Sequence, residues 1–420
     1  MNALYCYGET AQERIIWMSL FVQGLNGRRG IPYILVGPPG TQKTSFCARV
    51  ARRAGLRFEP VVVSSRAPQD FLGVPVPSTM STVGAPRHVD PDFVGETTYA
   101  HYAPFGFGLR AAMAPNGSLV LIDEANTGMP DTQSALLRVV LERVMGELDL
   151  GPRTRMTLAM NASKHTASSY ELAAAMTNRI GFLDWEGVSA KQFCAYVLSK
   201  GGADPLSLIE PIDTMAFEAE VDAHWGRAWA TAAGQIAGFI TSKPSALMQE
   251  PREGHQGAWP SGRSWDTAIH ALTGSILFGF SPAERDQACA AFIGKAPWNE
   301  FTSWLRTADL PSPDDVLSGR VVFHHRPARL DRTVAVLGSC TSMVMSAPEA
   351  DKKALANDFW RVLDNLTQNA AGALDLCVTT IAQLCSAELF VGNTTAYTVV
   401  GRIAPVALNA GIDLRKYTNG

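Results

Sequence analysis

The chain has 420 residues, of which 46% are hydrophobic and 18% charged, and a formal net charge of −3. That balance excludes a wholly disordered, collagenous or fibrous polypeptide and leaves room for roughly two to three domains of about 150 residues. It also lacks the strongly basic footprint with which duplex-binding domains displace counterions, so a nucleic-acid role needs a local patch.

Residues 13–25 carry a short helical pattern that ends in the glycine-rich, basic stretch 24–30. The β-branched and aromatic run 33–36 predicts a strand. It is closed by Gly37-Pro38-Pro39-Gly40, and Phe46, Val50 and Leu56 predict a helix after Thr44. Residues 61–63 read as a second buried strand. Residues 64–110 are rich in Gly, Pro, Ser and Tyr with little regular period, the mark of an insert that is functional or mobile. A strand at 119–122, a helix at 131–144 and a strand at 156–160 then alternate as a parallel sheet requires. From residue 186 helices dominate, with 216–240, 263–278, 282–293, 355–369 and 373–384 the clearest and loops at 254–262 and 310–315.

No apolar run reaches the roughly 18 to 20 residues that a membrane-spanning helix needs. Glu9 and Glu13 fall where a signal peptide would carry its apolar stretch, so the expected location is the cytoplasm. The seven cysteines, Cys6, Cys47, Cys194, Cys289, Cys340, Cys377 and Cys385, form no C-x-x-C pair or zinc spacing and read as reduced thiols, mostly core residues.

The run Gly37-Pro38-Pro39-Gly40-Thr41-Gln42-Lys43-Thr44 lies between a predicted strand and a predicted helix, where a phosphate-binding loop belongs. Its amides and the helix N-terminus would face phosphates, Lys43 would neutralise the β and γ groups, and the Thr44 hydroxyl would hold Mg²⁺. Gln42 replaces the last glycine of the G-x-x-x-x-G-K-[ST] pattern, which requires its side chain to point away from the nucleotide. The strand Leu119-Val120-Leu121-Ile122 ends in Asp123-Glu124. In such sites the aspartate supports Mg²⁺ and the glutamate polarises the attacking water, although either acid alone could equally cap a helix.

With these motifs in place, the chain resembles the AAA+ ATPases over residues 10–320, in particular the MoxR-like, dynein-related branch in its bacterial or phage form, which carries GPPGT-x-KT and LxxDEAN segments. The resemblance implies an α/β P-loop core with a parallel sheet between helices, a helical lid and, here, a helical C-terminal extension. It also implies ATP and Mg²⁺ as ligands. Asn161, ending the strand 156–161, looks like the family's sensor-1 residue, or else a strand-end turn asparagine. Thr177-Asn178-Arg179-Ile180 is similar to a D-R-F segment, which makes Arg179 the candidate trans-acting arginine; Arg138 and Arg143 are alternatives. Trp259-Pro260-Ser261-Gly262-Arg263-Ser264-Trp265 is similar to P-S-P-R-[ST]-W, placing Arg263 as sensor 2, with Gly262 where proline is usual.

The implied organisation is a nucleotide-binding domain over 1–185, a lid over 186–320 and an extension over 321–420. Within the first domain, residues 64–110 resemble the helix-2 insert, with Tyr99, Tyr102, Phe105 and Phe107 serving either a pore or ordinary packing. Residues 146–152 resemble the pre-sensor-1 hairpin. The family implies a homo-oligomeric ring, a hexamer, doing chaperone-like work on a partner protein that often bears a von Willebrand factor A domain. Two other functions compete. One is a nucleotide-binding scaffold with little turnover, motivated by Gln42. The other is a DNA-associated motor, motivated by Arg49, Arg52, Arg53 and Arg57, which would share a face if the helix continues past Gly55. His324-His325 fits no metal spacing, and Asn393-Thr394-Thr395 is a glycosylation triplet without meaning in the cytoplasm.

Overall fold

The computed structural model describes residues 3–79, 98–161, 170–187, 189–199, 209–251, 255 and 257–417. The chain forms two compact units. The first comprises Cys6–Ala219 with Gly254–Ala258, and the second Met1–Tyr5, Glu220–Glu253 and Trp259–Gly420.

The first unit opens with α1 (Ala11–Phe21), whose N-terminus is closed by a capping box between Thr10 and Glu13. There follow β1 (Tyr33–Val36), α2 (Lys43–Arg53), β2 (Arg57–Val62), α3 (Gln69–Leu72), β3 (Val74–Thr79), β4 (Thr98–Ala103), α4 (Gly106–Ala112), β5 (Ser118–Asp123) and α5 (Pro130–Glu142). β6 (Val144–Met145), β7 (Leu148–Asp149), β8 (Thr154–Met160), α6 (Ala174–Thr177), β9 (Gly181–Asp184), α7 (Ala190–Ser199) and α8 (Thr214–Ser242) complete it, the boundary between units falling inside α8.

Five strands form one parallel sheet in the order β2-β5-β8-β1-β9. Because both faces of a parallel sheet are covered, its strands need continuous apolar runs. Tyr33, Ile34 and Leu35 of β1 and the first five residues of β5 are accordingly buried. Ile34, Val120, Ile122 and Leu158 share a core with Leu136, Val139 and Val140 of α5 and with Phe71 and Phe107 from the insert. With all five strands parallel, the ends of β1, β5 and β8 emerge together at one edge, where ligands of open α/β sheets bind. β8 lies between β1 and β5, so the residue following it sits between the two motifs.

The alternation of strand and helix is as the sequence indicates, with four differences. The second strand runs from Arg57 to Val62, and residues 63–65 form a 3-10 turn. The insert over 64–110 is ordered at both flanks, with β3 and β4 paired antiparallel; its stretch 80–97 lies outside the described residues. The edge strand β9 was not anticipated. Finally, α2 stops at Arg53, so Arg57 belongs to a strand and bonds Glu59 while Arg53 donates to the Glu210 carbonyl. The four arginines therefore do not share one helical face.

The second unit is helical. The rest of α8 is joined by α9 (Gly262–Leu277), α10 (Pro282–Ile293), α11 (Lys295–Thr307), α12 (Pro313–Leu317), α13 (Leu330–Ser346), α14 (Glu349–Asn369), α15 (Leu374–Ser386) and α16 (Thr394–Asn409). Phe239, Trp265, Phe301 and Trp304 form one aromatic cluster, and Phe359, Trp360, Leu363, Val399 and Ile403 centre the core of the last four helices. Among the described residues no helix is long and apolar enough to cross a membrane. Cys47, Cys289, Cys340, Cys377 and Cys385 are buried and in no disulfide, and burial pushes the Cys47 thiol up to about 12.

Candidate nucleotide site

The loop after β1 is shaped by a few close approaches. A Cβ on Gly37 would come within 2.3 Å of the Trp185 carbonyl, and Gly40 has φ +77, so both positions demand glycine. Gln42 caps α2 at φ 61 and ψ 27, the left-handed region that explains why the pattern favours glycine there. Gln42 adopts this conformation without a cap bond from its side chain. Pro38, Pro39 and Thr41 fill the turn, and the Thr41 hydroxyl donates to the Pro38 carbonyl at 2.8 Å.

Lys43 begins α2 and is 7% exposed, with Nζ donating to the carbonyls of Gly37 (3.0 Å) and Pro38 (2.8 Å) and to Asn161 Oδ1 (3.2 Å). Burial holds its amine below the usual lysine range, against the opposing pull of the Asp123 carboxylate. Thr44 Oγ1 donates to Asp123 Oδ2 at 2.5 Å. The Asp123 Oδ1 accepts the Glu124 amide at 2.9 Å, and Glu124 itself stands at φ 55, which turns the chain away from the sheet edge. Lys43, Thr44, Asp123 and Asn161 are thus brought together, with Glu124 beside them.

This arrangement suits a nucleotide polyphosphate. The start of α2 supplies amides and the positive end of its dipole, and Lys43 supplies a charge. The Thr44 hydroxyl and Asp123 carboxylate are hard oxygen donors in contact. Such a pair fits Mg²⁺, which takes one or two protein oxygens and fills its octahedron with water and phosphate.

Trp185 escaped the sequence reading. It follows β9, donates its indole N–H to the Thr41 carbonyl at 2.9 Å and packs with its ring tilted by 40° at 4.9 Å from Phe46 on α2, bracing the loop from outside. The apolar run Phe182-Leu183 after Gly181 was the available signal for the strand that places it. Two buried amides were also missed. Asn126 Nδ2 donates to the Asn161 carbonyl, and Gln133 ties Gly128, Glu171 and Ala173 together.

The candidate arginines differ in their surroundings. Arg179 follows α6 and donates to the Ala175 carbonyl. Arg138 is exposed and bonds Glu142 and the Gly146 carbonyl. Arg143 is 3% exposed, with its guanidinium spent on the Thr154 and Val140 carbonyls, so it cannot reach a neighbouring subunit. Arg263, in the second unit, is the second residue of α9 behind a Ser261 cap. A Cβ on Gly262 would meet nothing within 4 Å, so the expected proline is absent without steric reason.

Sheet, loop and acidic pair together define an α/β P-loop core of AAA+ type with a helical C-terminal region. Residues 32–180 match the family described as "AAA domain (dynein-related subfamily)". No curated protein matches the chain. Among solved structures it is similar to a protein from Cytophaga hutchinsonii provisionally described as an ATPase, at 14% identity and a TM-score of 0.43, over 66% of this chain and 79% of that one.

Proposed function

We propose that the chain is a Mg²⁺-dependent ATPase of the MoxR-like kind that assembles into a ring, a hexamer, in the cytoplasm and remodels a partner protein. The observation that carries the hydrolytic part is the convergence of Lys43, the Thr44–Asp123 pair and Asn161 at one sheet edge, with Glu124 next to them. Lys43 and the loop amides bind and orient the phosphates. Thr44 and Asp123 hold Mg²⁺, which when bound offsets charge on the phosphate oxygens. Glu124 draws the proton from the attacking water and Asn161 orients that water. Arg179 from a neighbouring subunit, with Arg263, offsets charge on the transferring group. Ring assembly and a partner with a von Willebrand factor A domain rest on the family resemblance alone. The DNA-motor reading loses its motivation, since the basic stripe is not continuous.

The test is phosphate release from Mg·ATP by the wild type beside Glu124→Gln, with both sized by light scattering with and without nucleotide. Wild-type turnover, its loss in the variant and a nucleotide-dependent ring are expected. Binding and assembly without wild-type turnover at high protein concentration would replace the motor with a scaffold.

A further inference from the structure

The hydrogen-bond ladder between β5 and β8 runs in register from Ser118↔Thr154 to Ile122↔Leu158. Beyond it the chain turns at Glu124, but the Ala125 amide still reaches the Ala159 carbonyl at 2.9 Å. Carbonyls pointing to one side of a strand recur at every second residue, so the next acceptor facing β5 is Asn161. Among the described residues no backbone N–H meets it. Its partner is the side-chain amide of Asn126, with Nδ2 donating to the Asn161 carbonyl at 3.0 Å. Asn126 is 4% exposed, and its own carbonyl accepts the Tyr170 amide at 2.8 Å. One residue therefore grips both the end of β8 and Tyr170.

On the opposite side of β8 the Met160 carbonyl accepts the Gly37 amide at 3.3 Å, tying the strand to the start of the phosphate loop. Asn161 is fixed from both flanks, and its side chain meets Lys43. We propose that Asn126 is a positioning residue for hydrolysis: by adding one side-chain rung to the ladder it fixes the Asn161 backbone, and with it the direction in which the Asn161 amide faces the reacting phosphate. This rests on the ATPase reading above. Were Asn126 only filling space, an apolar side chain of similar size would avoid bringing a polar amide into the interior.

The test compares wild type, Asn126→Asp, Asn126→Ala, Asn161→Ala and the two double variants in the full chain, measuring kcat and KM for Mg·ATP, nucleotide affinity and melting temperature. Asn126→Asp keeps the shape but removes the donor; Asn126→Ala removes the amide without adding charge. Each should lower kcat about 10- to 100-fold, the effect of a small misplacement at a reacting centre, with KM within about threefold. In the Asn161→Ala background the same changes should cost less than about twofold, because the residue acts through Asn161. The Asn126→Asp deficit, taken relative to wild type at each pH, should shrink in acid, where a protonated carboxyl can donate to the Asn161 carbonyl.

A kcat within twofold of wild type in both single variants overturns the inference. So does an equal loss with and without Asn161, or a loss explained by melting temperature alone. A wild type that binds Mg·ATP without turning it over overturns the proposed function and this inference with it, whereas active wild type with indifferent Asn126 variants overturns this inference alone.

Discussion

Glu218, the fifth residue of α8, is 4% exposed and faces three guanidinium groups. Arg155 on β8 is fully buried. It donates to Glu218, to the Leu20 carbonyl at 2.8 Å and to the Arg153 carbonyl at 2.7 Å, while Arg153 and Arg29 lie 3.7 and 4.0 Å from the same carboxylate. Glu218→Gln preserves the volume but leaves a buried guanidinium beside two like charges. Breaking a buried pair from one side typically costs about 3–5 kcal/mol, and the neighbouring arginines argue for the upper half of that range. Arg155→Met should cost less, since Glu218 keeps Arg153 and Arg29. Glu218→Leu with Arg155→Met should recover part of the single loss, because no charge is then left buried alone. Urea unfolding of all four proteins, followed by circular dichroism, measures this. A Glu218→Gln loss under about 1 kcal/mol, or a double variant no more stable than Glu218→Gln, would refute the claim that the pair is held by mutual need.

Three further outcomes follow from the site and the sheet. Gln42→Gly relieves a left-handed residue, a gain of about 1–2 kcal/mol, offset by about 0.5–1 kcal/mol of extra chain entropy. Urea unfolding should show a small net stabilisation, with kcat within about threefold of wild type. Phosphates beside Lys43 should raise the amine that burial holds low. Above that lowered value nucleotide binding therefore takes up a proton and weakens as pH rises, readable as buffer-dependent heat in calorimetry at alkaline pH. Burial pushes the Glu59 carboxyl up, but hydrogen bonds from Arg110 and Arg57 outweigh it and hold the group below its usual range. Its contribution is present above the unfolded value near ~4.3 and lost as pH falls through the lower native one, so the stability gap between wild type and Glu59→Gln should close in acid.

What the sequence disclosed was whatever is written in consecutive residues. The loop from Gly37 to Thr44 and the acids at Asp123 and Glu124 each carry their chemistry within a few positions, and apolar runs gave four of the five sheet strands. The fifth, Gly181–Asp184, lies at a sheet edge and holds only Phe182 and Leu183 between a glycine and an acid, where β1 has four apolar residues in a row. Helix α13 was missed because Gly338 and its many Ser, Thr and Val residues are poor helix formers. Its buried stripe, including Val336, Cys340 and Val344, decides the matter in three dimensions. Helix α16 likewise carries Pro405 and a β-branched start. Side chains that act across the fold left no local trace. Nothing near Arg155 in sequence points to Glu218, and nothing near Asn126 says which carbonyl it meets.

The same geometry bears on how tightly phosphate can be held. An ammonium has three donors, and those of Lys43 have three acceptors in the Gly37 and Pro38 carbonyls and Asn161 Oδ1. Nucleotide binding must therefore exchange bonds, and its net worth is the difference between a charged phosphate oxygen and a neutral carbonyl. The bonds given up already have an ionised donor, the class that contributes about 1.5–3 kcal/mol, and those formed to phosphate differ only in that the acceptor is charged as well. The margin per exchanged bond is small, so affinity depends on how rigidly the loop and strand ends hold their places. Trp185 braces the loop at Thr41, Gly37 is tied to Met160, and Asn126 secures Asn161. Loosening any of these spends on ordering the site the free energy that would otherwise appear as binding or catalysis.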